Sequence, residues 1–427
     1  MTYSEGPVMG VWCRIFFSFA FAVLIAMGSW TYTRADAPNG DESIVAGRVL
    51  LKPKQGIDAV RALSSLGDEE VRVAASLPQL GYLVLSVPPG TEREWARRLS
   101  SSTFVENAQP EFIYRLLLNP NDFWFYAYKG ENSLYQWNLR TINAPSAWDI
   151  NTGSSDITIA IVDTGVDDRH DEFAGKVTLK ADFINELNPF DGLGFHATHV
   201  AGIAAARTNN ATGIAAVSWG AKIMSVKVAD HFGKAPETIA AQGIVFAADN
   251  GANIINLSFG GEEESKLMQD AVDYAYNKGI LVVAAAGNCA DPDKFIQWDC
   301  KSLNPPIYPA AGKNVLAVGA NNEQNQRPSY AEHLSYIAVA APGDDILSTL
   351  PNQGYGRAGG TSMAAPHVSA LASLIWSVNP SFTNAQVANI ITSTVTDLGP
   401  AGKDDDFGYG LINARAALVK ASEPTPT

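Results

Sequence analysis

Gly359-Gly360-Thr361-Ser362-Met363-Ala364-Ala365-Pro366-His367-Val368 and the run that follows it, Ser369-Ala370-Leu371-Ala372-Ser373-Leu374-Ile375-Trp376, decide how the rest of the chain is read. These residues are small or apolar nearly all round, so the segment predicts a helix that lies in a core. Pro366 is expected in its first turn, where a missing N–H costs little. Ser362 then stands at or just before the helix N-terminus, where unpaired N–H groups and the positive dipole end favour a developing anion. The glycine pair lets another backbone come close. A serine in such a place is ordinarily a helix cap. A second meaning has to come from upstream.

Working back from this helix, strands and helices alternate from Trp137 to Leu418. Ile157–Val162 is a continuous apolar, β-branched run, as for a strand buried on both faces. Further strands are expected at 223–228, 254–257, 280–285 and 315–319, with helices at 199–206, 238–249 and 266–277. The pattern predicts an α/β fold, a doubly wound, mostly parallel sheet with helices on both faces. In such sheets, functional groups gather at the C-terminal ends of strands. Asp163 directly follows the first buried strand, His196 opens a small-residue helix, and Asn288 closes the strand that ends in Ala285-Ala286-Gly287. Each alone reads as a turn former or cap. Together with Ser362 they are the set that acyl transfer requires. Serine is a weak nucleophile that needs a base, which His196 supplies. Asp163 would orient the imidazole, and the Asn288 amide with the Ser362 N–H would hold the oxyanion.

The blocks Asp-Thr-Gly-Val-Asp (163–167), His-Ala-Thr-His-Val-Ala-Gly (196–202), Ala-Ala-Gly-Asn (285–288) and Gly-Thr-Ser-Met-Ala-Ala-Pro-His (360–367) resemble the subtilase (subtilisin-like) serine peptidases, in the order Asp, His, Ser. The resemblance implies that Asp163, His196 and Ser362 are the triad and Asn288 the oxyanion residue. It also implies that Leu257-Ser258-Phe259-Gly260 pairs with substrate backbone. With Ala285-Ala286-Gly287, that segment would wall the pocket for the side chain before the scissile bond, so Ser258, Phe259, Gly260, Ala286 and Gly287 are substrate-binding candidates. Small apolar walls predict an apolar or aromatic preference. No cofactor is required for this chemistry. A structural calcium ion is a further implication, with Glu172, Asn210 and carbonyls near Thr212 and Ile214 at about the family's positions; a solvated acid and a turn asparagine are the plain alternative. The chain departs from the family at Ala197, where glycine usually follows the catalytic histidine.

The N-terminal third reads separately. An apolar run, Ile15–Met27, follows Arg14, and Ala35-Asp36-Ala37 offers small residues for cleavage, so residues 1–37 are expected to be a signal peptide and the protein secreted. An uncleaved membrane anchor is the alternative. Residues 38–118 are expected to form a small α+β unit, with strands at 45–52 and 82–87, helices at 58–66 and from Thr91, and further strand material at 104–108 and 112–115. It resembles the inhibitory propeptide of the same family. The peptidase domain would then occupy 119–427. In an exported protein, Cys289 and Cys300 flanking a short acidic loop read as one disulfide.

Other classes fare poorly. The net charge of −14 and the lack of basic runs argue against nucleic-acid binding. Gly192-Leu193-Gly194-Phe195-His196-Ala197 fits a dinucleotide fingerprint only formally, since no buried strand leads into it. His196 and His199 lack the i, i+4 spacing of a helical zinc motif. The expected protein is a monomeric, self-processing zymogen whose partners are protein or peptide substrates and its own propeptide. The rival reading is a propeptide-bound interaction protein whose catalysis Ala197 has spoiled.

Overall fold

The computed structural model describes residues 44–57, 71–113, 119–128, 135–186, 192–294 and 300–424. Residues 1–37, expected to be a signal peptide, and the helix expected at 58–66 lie outside the described residues. The chain forms two compact units that divide after residue 114.

The first unit holds strands β1 (Ile44–Pro53), β2 (Arg72–Leu77) and β3 (Tyr82–Ser86), helix α1 (Glu92–Ser100) and strand β4 (Val105–Phe112). Its strands form a sheet in the order β2-β3-β1-β4, antiparallel where paired. Val49, Leu51 and Leu85 from the sheet pack with Trp95 and Leu99 of α1. The strand material expected at 104–108 and from 112 falls on one strand, β4, which ends at Phe112; residues 114 and 115 lie outside the described residues. Strand β2 escaped the sequence reading because its residues are almost all exposed and show no apolar alternation.

The second unit is built on seven strands: β5 (Thr158–Asp163), β6 (Val177–Asp182), β7 (Lys222–Lys227), β8 (Ile254–Leu257), β9 (Leu281–Ala285), β10 (Val315–Asn321) and β11 (Val339–Pro342). They lie in the order β11-β10-β9-β8-β5-β7-β6, and every pairing is parallel. Alternate residues face opposite sides, so each strand contributes to two cores. Ile159, Ile161, Leu281 and Val283 join the helices α2 (His196–Ala205) and α3 (Thr361–Val378). Ala160, Val162, Val282 and Ala284 join α4 (Glu237–Asp249) and α5 (Lys266–Asn277). This two-sided burial is why the strands read as unbroken apolar runs. A hairpin, β12 (Ile346–Leu350) with β13 (Gly354–Ala358), lies beside α2. The chain reverses its direction across the sheet at β5, with β7 on one side and β8 on the other, and such switch points carry binding sites.

Candidate active site

Asp163 ends β5 and is buried. Its Oδ1 accepts the Thr164 N–H at 2.6 Å. His196, the first residue of α2, places Nδ1 2.9 and 3.0 Å from the two Asp163 oxygens. With a carboxylate as acceptor, the proton sits on Nδ1 and leaves Nε2 free to accept another. Burial opposes charge on His196, but the Asp163 carboxylate and its hydrogen bond outweigh it and hold the imidazole pKa above its ordinary value. Thr164 Oγ1 accepts the Ala197 N–H at 3.1 Å, fixing the helix start. The Ala197 methyl lies inside the core, and the His196–Asp163 contact keeps an ordinary length beside it.

Ser362 is the second residue of α3, at the same end of the sheet. Its hydroxyl donates to the Ser258 carbonyl at 2.9 Å, and among the described residues no hydrogen bond joins it to His196. Pro366 is not in the first turn, as the sequence suggested, but sixth in the helix. The carbonyl it leaves without an N–H is that of Ser362, four residues back. Ser258 Oγ donates to that carbonyl at 2.9 Å, which makes the proline tolerable there. Ser258 Oγ in turn accepts from Asn256 Nδ2 at 2.8 Å, and Asn256 Oδ1 accepts from Ser369 Oγ at 2.9 Å. A buried polar chain thus ties the strand segment to the helix that carries Ser362.

Asn288 follows β9. Its Oδ1 accepts the Thr361 N–H at 2.8 Å, an assignment that a backbone donor makes unambiguous, so Nδ2 is left as an available donor. Thr361 Oγ1 also accepts the Gly287 N–H at 3.0 Å. Of the substrate-binding candidates, Gly260 and Gly287 both lie against Ile307. A Cβ at Gly260 would meet Ile307 Cγ2 at 2.5 Å, and one at Gly287 would meet Ile307 Cγ1 at 2.5 Å.

Cys289 is disulfide-bonded to Cys300, as the spacing suggested. Its N–H lies 2.9 and 2.8 Å from the two oxygens of Glu332, a fully buried carboxyl. Burial pushes the Glu332 pKa up to about 8, against the pull of the Cys289 N–H. Between its ordinary value and about pH 8, the folded chain holds a proton there that the unfolded chain has released. Stability from this group therefore falls as pH rises through that window. Glu332→Gln should flatten that fall, so that melting temperatures of variant and parent diverge in the variant's favour from pH 5 to pH 9. Parallel curves would show that Glu332 does not carry the effect.

The calcium candidates Glu172, Asn210, Thr212 and Ile214 lie together in the structure. Glu172 Oε1 accepts the Ile214 N–H at 3.1 Å and the Tyr355 hydroxyl at 3.0 Å, and Oε2 accepts Asn210 Nδ2 at 3.2 Å. Asn210 Oδ1 is taken by the Thr212 N–H and hydroxyl, both at 3.0 Å. Burial raises the Glu172 pKa to about 7, against the pull of these hydrogen bonds.

Several residues of the site carried no sequence signal. Ile307 and Glu332 come from irregular segments without periodicity. Thr361 and Asn256 could have been suspected as polar residues beside the Ser362 and Ser258 motifs.

Fold and constellation together define a serine-type hydrolase. A sequence model of the subtilase family matches residues 154–410. The chain is 36% identical over 383 residues to a thermophilic serine proteinase of Bacillus sp. (strain AK1), covering 88% of each chain. It is 42% identical over 300 residues to thermitase of Thermoactinomyces vulgaris, covering 70% of this chain and 99% of that protein. Among solved structures, a protease from Pseudoalteromonas arctica PAMC 21717 superposes with a TM-score of 0.61 at 29% identity, covering 71% of this chain and 100% of that one. The chain belongs to the subtilase family and is a serine-type endopeptidase.

Proposed function

We propose that this endopeptidase works through an acyl-enzyme, with Ser362 as nucleophile, His196 as general base and then acid, and Asp163 as the group that orients and stabilises the imidazolium. Asn288 Nδ2 and the Ser362 N–H hold the oxyanion. The observation that supports this most is the His196–Asp163 pair, which leaves Nε2 unprotonated at the same end of the sheet as Ser362 and its helix N-terminus. The resting hydroxyl turns to the Ser258 carbonyl, and a rotation about one side-chain bond re-aims it. The enzyme is made as an exported zymogen: residues 1–37 direct export, residues 38–118 assist folding and block the cleft, and the enzyme cuts its own linker near residues 115–125. The test is a fluorophosphonate probe on the purified protein beside Ser362→Ala. Label at Ser362 with loss of the propeptide mass supports the reading. A folded, propeptide-free protein that takes no label overturns it in favour of the interaction-protein alternative.

Ile307 narrows the expected substrate range. With its side chain against both glycines, the cleft suits a small apolar residue before the scissile bond, not an aromatic one. Ile307→Gly is expected to raise kcat/KM for phenylalanine at that position by about a hundredfold, while alanine substrates change little. A parent enzyme that already cleaves after phenylalanine as well as after alanine, or prefers lysine or arginine, would refute the assignment.

A further inference from the structure

Away from the site just described, a cleft of about 470 Å³ opens between the turn before β6, the segment after α2 and the turn before β7. Lys176, Arg207 and Lys222 line it together with Asn209 and Trp219, and no aspartate or glutamate does. In a chain with a net charge of −14, three cations without an acid run against the overall balance.

Lys176 is only 6% exposed. Its Nζ donates to the Trp219 carbonyl at 2.5 Å, and Lys222 Nζ donates to the Gly175 carbonyl at 2.7 Å. These carbonyls hold the ammonium heads in place without neutralising them. Among the described residues, none of the three cations forms an ion pair. Burial, and then the Lys222 and Arg207 charges, bring the Lys176 pKa down to about 7, with no acid acting the other way. A buried cation without a counter-charge is costly, and the cost is relieved when an anion arrives. One further donor stands by: Asn209 turns its Oδ1 to the Asn121 N–H, which leaves its NH2 group to donate.

We infer that this cleft binds a small tetrahedral oxyanion of the phosphate or sulfate type. A carboxylate is matched by a single guanidinium fork, whereas three cations on three separate segments suit a dianion with acceptors in several directions. The bound ion joins β6, the end of α2 and β7, so it stabilises the folded chain by mass action.

The test uses the full chain carrying Ser362→Ala, to suppress self-digestion, melted in sodium phosphate, sodium sulfate and sodium chloride at matched ionic strength and pH 6, where the Lys176 ammonium is charged. The melting temperature should climb saturably with phosphate and with sulfate and stay level in chloride. Arg207→Ala and Lys222→Ala, both on the solvent side of the cleft, should each weaken the apparent phosphate affinity about tenfold or more. Lys176→Met should keep the fold, melt no lower than the parent without phosphate, and lose the phosphate response. An equal rise in chloride shows an adventitious ion only, and overturns the inference. So does a phosphate response that survives in the Arg207→Ala, Lys222→Ala double variant, or the absence of a saturable response in the parent.

Discussion

A chain carrying Ser362→Ala is expected to turn over peptide substrates about 10⁶-fold more slowly than the parent, the size of loss that removing this group causes in subtilisin. On the proposed mechanism the acyl intermediate forms on Ser362, so what survives is transition-state binding by the oxyanion donors. The fold should be nearly untouched. The hydroxyl makes one hydrogen bond, to the Ser258 carbonyl, and the helix start is held by Thr361 and by the Ser362 backbone. Expressed alone, the variant should keep the mass of the uncut precursor, because the same nucleophile is proposed to sever the linker. Steady-state rates and intact mass check both claims. A loss smaller than about tenfold would remove Ser362 from the nucleophile's role, and normal maturation would assign the cut to another protease.

Asp163→Asn should cost about 10⁴ in kcat while leaving the melting temperature close to the parent's. The Thr164 N–H claims the side-chain oxygen, so the new NH2 group takes the place of Oδ2, 3.0 Å from His196 Nδ1. A donor there favours the tautomer with its proton on Nε2, and that nitrogen can no longer accept the Ser362 proton. The pH profile gives an independent readout. On the proposed mechanism activity requires neutral His196, whose pKa Asp163 holds above the ordinary histidine value, so the parent's acid limb should lie above that value. In the variant the limb should move to lower pH. An unchanged limb would mean that some other group titrates there.

The parts of the molecule legible in the sequence share a physical cause. Strands such as Thr158–Asp163 are buried on both faces, and the α3 helix is buried nearly all round, so their composition states their place directly. Strand β6 was not anticipated, because its residues alternate between half-buried and exposed and so lack that uniform signal. Asp163, His196, Asn288 and Ser362 stand out in the sequence because each lies where a regular element begins or ends and because the motifs around them are specific. Ile307 does not, since Pro305-Pro306-Ile307-Tyr308 has no pattern that says what it will face. The resemblance, not any local pattern, groups Glu172, Asn210 and Ile214, and the fold brings them together: Glu172 accepts from Asn210 Nδ2 and from the Ile214 N–H.

Pro366 turns the nucleophile's backbone into a joint between two elements. An ordinary helix would have clamped the Ser362 carbonyl from within, four residues on, and been indifferent to the adjoining sheet. Here the clamp comes from the Ser258 hydroxyl, at the very segment proposed to receive the substrate strand. Alignment of the peptide and alignment of the attacking group are then set by the same few atoms. A peptide that seats badly on that segment disturbs the nucleophile as well, so poor substrates should be penalised in turnover more than in binding.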